Sequence, residues 1–153
     1  MDKPLNCIDI FDFTSQYGTI TEEYAALIMR NITQTCSKLY ENGIFHRDIK
    51  DENVLLNPSD LSTHVIDFGC ATQASSRHQV FRSFAGTPDY TAPEYFCTGV
   101  LDQEKSTVWN LGCLLYILLL GEAPFKSKDE IVSGQLIIVS KANFRFKQNL
   151  TDL

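Results

Sequence analysis

Glycine-rich loops, paired cysteines and long apolar runs are all missing from this 153-residue chain. The first glycine is Gly18 and no G-x-G-x-x-G string occurs, which excludes a phosphate-cradling loop of that kind. The five cysteines, Cys7, Cys36, Cys70, Cys97 and Cys113, are odd in number, scattered and form no C-x-x-C pair. That pattern excludes a disulfide frame or a paired-cysteine zinc site and predicts reduced thiols. The apolar run from Leu111 to Leu120 is about half as long as a bilayer span requires, so it predicts a core helix. The opening "MDKPLNCIDI" has neither the basic flank nor the apolar stretch of a secretory signal. Basic residues are in deficit, 13 Lys and Arg against 19 Asp and Glu, for a net charge of −6. This balance argues against broad binding to nucleic acid or to an anionic membrane and favours basic partners.

What is present suits one globular domain, or part of one, with a 44% hydrophobic fraction. Residues 7–17 read as a short amphipathic segment with Ile8, Phe11 and Phe13 on its apolar side. Thr21 to Asn42 predicts a longer helix. Thr21 stands at its N-cap, Glu22 and Glu23 lie at the positive end of the dipole, and Gly43 follows its C-terminus. Ile28, Ile32, Cys36 and Leu39 give that helix one buried face. Val54–Leu56 and His64–Ile66, joined by the turn-rich "NPSDLS", predict a β-hairpin. The stretch from Cys70 to Ser83 is polar, whereas "STVWNLGCLLYILLLG" is apolar on almost every face, as a helix enclosed by protein should be. "SKDE" at Ser127 to Glu130 predicts a capping box.

The chemistry converges on "HRDIKDEN", His46 to Asn53. In an antiparallel hairpin, the residue entering the first strand lies beside the one leaving the second, which predicts that Asn53 and Asp67 meet. An amide oxygen and a carboxylate at one point would suit Mg²⁺, which takes a few hard oxygens together with phosphates and water. Asp48 can face that point as a base for an incoming hydroxyl, and Lys50 can screen charge on a phosphate.

"HRDIKDEN", "DFG" at Asp67 to Gly69 and "GTPDYTAPE" at Gly86 to Glu94 together resemble a eukaryotic protein kinase catalytic domain. The resemblance implies a mainly α (α+β) large lobe with a short β-hairpin at its active face. It also implies ATP and Mg²⁺ as cofactors, with Asp48 as base and Asn53 and Asp67 as metal ligands. Lys50 and Thr87 resemble the serine/threonine class. "MDKP", "IDIFDF", "KDEN" and "VWNLGCLLY" narrow the resemblance to the Pim group. On that likeness Pro4, Leu55 and Ile66 would line the adenine pocket, beside Asp67. Asp9, Asp12 and Glu52 would receive basic residues upstream of a target serine or threonine. A solvated helix face is the plain alternative for Asp9 and Asp12. His46, Phe68 and Gly69 would order the active face, and Arg47 would read an acidic or phosphorylated activation segment or make an ordinary salt bridge. Glu94 would need an arginine partner. At position 107 the resemblance implies an aspartate bonding the loop's backbone, and threonine stands there instead.

The resemblance covers nearly the whole chain as one partial kinase domain, residues 1–153, without the small N-terminal lobe and the last helices. The expected function is transfer of the ATP γ-phosphate to serine or threonine in proteins with basic upstream residues, with no nucleic-acid or membrane partner. The expected location is the cytoplasm, with the nucleus second. On its own the chain is expected to be weak or inactive. The alternative is a non-catalytic lobe that binds basic segments or acts as a decoy.

Overall fold

A computed structural model describes residues 6–74 and 80–136. In chain order its elements are β1 (Ile8–Asp9), α1 (Ile10–Tyr17), α2 (Glu22–Glu41), β2 (Ile44–Phe45), β3 (Val54–Leu56), β4 (Thr63–Val65) and β5 (Thr72–Gln73). There follow β6 (Val80–Phe81), α3 (Pro93–Thr98), β7 (Leu101–Asp102), α4 (Gln103–Leu120) and α5 (Lys128–Ser133). The strands form one three-stranded antiparallel sheet, β1-β3-β4, and two antiparallel pairs, β2-β5 and β6-β7. The mainly helical class with a hairpin at one face is as the sequence implies. Among the described residues no helix is long and apolar enough to cross a membrane.

The long helix α2 begins where its caps dictate. Thr21 accepts from the Tyr24 N–H, and the chain turns out of the helix through Gly43 at φ +71°. Its buried face, Ala25, Ile28, Ile32 and Cys36, packs with Ile10, Phe13, Ile49, Val54, Leu56, Leu114 and Leu118 in one core. Each fully buried isoleucine or leucine there contributes roughly 1.5–3 kcal/mol. Ile49 anchors the HRDIKDEN loop. It is 1% exposed in the middle of the HRDIKDEN loop, so the loop is nailed to the core between Asp48 and Lys50. Burial also pushes the Cys36 thiol up to about 11 and that of Cys113 up to about 12, so neither forms thiolate at neutral pH.

Three sequence expectations need correction. In α1 it is Ile10 with Phe13, three residues apart, that faces the core, while Phe11 is 51% exposed. Asp9 caps this helix, and its carboxylate accepts from the Asp12 N–H at 2.8 Å. Second, α4 is not enclosed by the described residues. Asn110, Cys113, Leu114, Ile117 and Leu118 are buried, but Val108 is 64% and Leu115 37% exposed. Third, the hairpin is shifted by one residue. Asn57 and Ser62 close its loop (N···O 2.9 Å) around Leu61 at φ +58°, so β4 starts at Thr63 and Val54 pairs with Val65.

The Asp9 cap yields a prediction. Asp9→Ala should cost about 1 kcal/mol in denaturant unfolding, and Asp9→Asn only a few tenths, since the asparagine oxygen can cap as well. Equal losses in the two variants would mean that charge, not the cap, is what the position supplies.

Candidate active site

The shifted hairpin sets the site. Asn53 lies opposite Ile66, and the Ile66 N–H donates to the Asn53 carbonyl at 2.9 Å. Asp67 therefore falls one residue past the position predicted beside Asn53. There the chain turns left-handed (φ 60°, ψ 76°), and the Asp67 carboxylate accepts from the Gly69 N–H at 3.1 Å. A Cβ on Gly69 would lie 3.0 Å from that carboxylate oxygen, so the small residue keeps the turn tight.

Asp48 and Asn53 are brought together directly. The Asn53 side-chain N–H₂ donates to the Asp48 carbonyl at 2.9 Å and to its carboxylate at 3.1 Å. That orientation commits the amide nitrogen to Asp48 and leaves Oδ1 of Asn53 as an acceptor. From the GTPDYTAPE stretch the Thr87 hydroxyl donates to the other Asp48 oxygen at 2.7 Å. Asn53 is 5% exposed, so these bonds are shielded and geometrically restricted. Lys50 forms an ion pair with Glu52. Burial alone would lower its pKa, but the Glu52 hydrogen bond and the charges of Asp48, Glu52 and Asp51 together raise it above the ordinary lysine value. The ammonium is thus kept charged, and Glu52 holds it.

His46 is structural. It is 3% exposed, its Nε2–H donates to the Ile66 carbonyl at 2.9 Å, and its Nδ1 accepts from the Asp48 N–H at 3.4 Å. A carbonyl can only accept, which assigns the tautomer. Burial holds the imidazole pKa below its ordinary value. Phe68 packs edge-on against the ring, 4.7 Å between centroids, and so ties the DFG turn to the loop. Arg47 sits at φ +69°; its guanidinium donates to the Ser83 carbonyl at 2.7 Å and lies over Phe81 at 5.0 Å. The same residue's Nε is buried without a hydrogen-bond partner among the described residues.

Other predicted positions are more scattered. Leu55 is 3% exposed and Ile66 half-buried, on the paired hairpin strand and just beyond it. Pro4 lies outside the described residues. Asp12 and Glu52 are exposed, and Asp9 is committed to its cap. Glu94 is half-buried in the first turn of α3, and no described residue forms an ion pair with it. Sequence reasoning passed over Asp51, Tyr90 and Asn110, which form a hydrogen-bonded chain beside Asp48. Their strings were visible, but nothing local says that residues 39 positions apart meet.

Mg²⁺ is tested by the oxygens present. The Asn53 Oδ1 and the second Asp67 oxygen are acceptors left over by the described hydrogen bonds. No group of three or more His, Cys, Asp or Glu side chains able to hold a metal exists among the described residues. Amide and carboxylate oxygens of this kind fit Mg²⁺, which completes its shell with water and phosphate, and two of them do not fit a cation that needs an all-protein cage.

A family model described as "Protein kinase domain" matches residues 3–151. The chain is 38% identical over 137 residues to serine/threonine-protein kinase prk-2 of Caenorhabditis elegans, covering 90% of this chain and 31% of that protein. It is 34% identical over 134 residues to serine/threonine-protein kinase pim-2 of Danio rerio, covering 88% and 43%. Serine/threonine-protein kinase PSK1 of Saccharomyces cerevisiae is 38% identical over 130 residues, covering 85% and 9%. The chain therefore spans less than half the length of each of these relatives.

Proposed function

This chain belongs to the protein kinase family, and from that membership we propose that it is the large lobe of a Pim-like, basophilic serine/threonine kinase. The observation that carries the reading is the contact set around Asp48, with Thr87 on one carboxylate oxygen and Asn53 on the other. Asp48 accepts the proton of an incoming serine or threonine hydroxyl, and its two anchors hold the carboxylate toward that hydroxyl. Lys50, kept cationic beside Glu52, screens charge on the transferring phosphate. Asn53 and Asp67 would hold Mg²⁺, which when bound neutralises charge on the ATP phosphates. Leu55 and Ile66 would form an apolar floor for adenine, completed by Pro4.

The test is phosphate transfer by the chain joined to a small lobe, with ATP, Mg²⁺ and an arginine-rich serine peptide. Incorporation no greater than that of an Asp48→Asn control would overturn the reading.

A second reading is favoured by the exposed carboxylates of Asp12, on α1, and Glu52, in the HRDIKDEN loop. It makes the lobe by itself a receptor for basic segments. A fluorescent arginine-rich peptide should then bind saturably and weaken as salt rises, and Asp12→Asn should lower its affinity about two- to fivefold. A signal insensitive to both salt and Asp12→Asn would rule this out.

A further inference from the structure

A second hydroxyl of the activation segment reaches the catalytic loop. Tyr90 ends the 3₁₀ turn Pro88–Tyr90, and its N–H donates to the Thr87 carbonyl at 3.1 Å. Its phenol donates to Oδ1 of Asp51 at 2.7 Å and accepts from the Asp51 N–H at 3.4 Å. Thr87, at the other end of the turn, donates to Oδ1 of Asp48, also at 2.7 Å. Two hydroxyls three residues apart in one segment thus grip two carboxylates three residues apart in the other. The matching intervals make a two-point clamp, which fixes an angle where a single bond would leave a pivot.

Asp51 depends on this clamp. It is 8% exposed, and beyond the phenol its carboxylate accepts only the Glu52 N–H, at 3.1 Å, among the described residues. A buried carboxylate with one remaining donor is unfavourable and pulls its loop toward water. Tyr90 is itself held from behind. Asn110, 5% exposed on α4, donates from Nδ2 to the Tyr90 carbonyl at 2.6 Å. Thr107, one turn earlier, donates its hydroxyl to the Gln103 carbonyl of its own helix and does not reach the loop. The polar path from the central helix to the catalytic loop therefore runs Asn110, Tyr90, Asp51.

We propose that Tyr90 and Asp51 are positioning residues, a latch through which α4 sets the catalytic loop's orientation and, through it, that of the Asp48 carboxylate. Burial first, and then the charge of Asp51, raise the phenol's pKa above its ordinary value, so the latch keeps its proton at neutral pH. The effect on catalysis rests on the kinase reading; the effect on loop order does not.

Amide hydrogen exchange on the full chain separates the two. Tyr90→Phe keeps the ring and removes the donor, and it should speed exchange across 46–53 by roughly tenfold while leaving the α2 core unchanged. Asp51→Asn should stay near wild type, because its amide oxygen still accepts the phenol's proton. Unchanged exchange at 46–53 in Tyr90→Phe overturns the latch. Acceleration spread equally over α2 also overturns it, because that would be global loss of stability. In the two-lobed kinase, Tyr90→Phe should lower kcat about tenfold with peptide KM nearly unchanged, and Asp51→Asn should retain most of the rate. An unchanged kcat alongside a loosened loop would remove the catalytic half of the proposal. A wild-type protein that transfers no phosphate would sink the kinase reading and leave the exchange result to judge the latch.

Discussion

Asp48→Asn should lower phosphate transfer by roughly 10²–10⁴-fold, the range that a positioned general base supplies. The fold should barely notice. Both carboxylate oxygens of Asp48 are engaged, one by the Thr87 hydroxyl and one by the Asn53 amide. An asparagine can keep its oxygen toward Asn53 and turn its N–H₂ toward Thr87, whose hydroxyl can accept as readily as donate. No buried group loses its partner, so the stability cost should stay below about 1 kcal/mol. Single-turnover transfer by the two-lobed protein, together with denaturant unfolding of the same variant, checks both halves. A rate within tenfold of wild type would mean that Asp48 is a fixture of the loop and that another group takes the hydroxyl proton. A large stability loss would mean that the asparagine cannot turn, and that the contact set is more rigid than its hydrogen-bonding chemistry requires.

The elements legible in the sequence are those whose pattern is longer than their noise. Helix α2 carries several turns of apolar residues between a threonine cap and a glycine exit, and it folds where they say. Helix α4 was evident from apolarity alone, but apolarity could not say which side is covered, and Val108 lies exposed. Strands β5, β6 and β7 have two residues each and cannot show a period. The hairpin was foreseen while its register was not, because register depends on how the loop closes. Here Leu61 takes a left-handed conformation that leucine composition does not advertise. The same applies to the site. Asp48, Asn53 and Asp67 were legible as residues through their motif. Only the fold shows that Glu52 holds Lys50, or that Tyr90 meets Asp51.

Gly86→Ala should be the most damaging single-atom addition in the described structure, costing roughly 3–5 kcal/mol. Two separate penalties meet at this position. Its backbone lies at φ +108°, which side chains disfavour, and a Cβ there would stand 2.4 Å from the Arg47 carbonyl oxygen. The carbonyl cannot easily retreat. Arg47 is itself left-handed, and its side chain is tied to Ser83 and laid over Phe81, while Ile49 two residues on is locked in the core. Gly99→Ala isolates the first penalty. Gly99 has φ +69° with open space where its Cβ would go, so that variant should lose only about 1–2 kcal/mol. The excess measured for Gly86→Ala over Gly99→Ala is then the close approach together with the less tolerated φ of +108°. Equal losses would show that the two strands of chain are not pressed together. The excess also bears on chemistry, since the Asp48 carboxylate stands 3.5 Å from the same added carbon. Any yielding that relieves the clash must push on the loop that presents Asp48. The folded fraction of Gly86→Ala should therefore transfer phosphate more slowly than wild type, at a denaturant-free temperature where both are folded. A rate equal to wild type there would confine this glycine's role to folding.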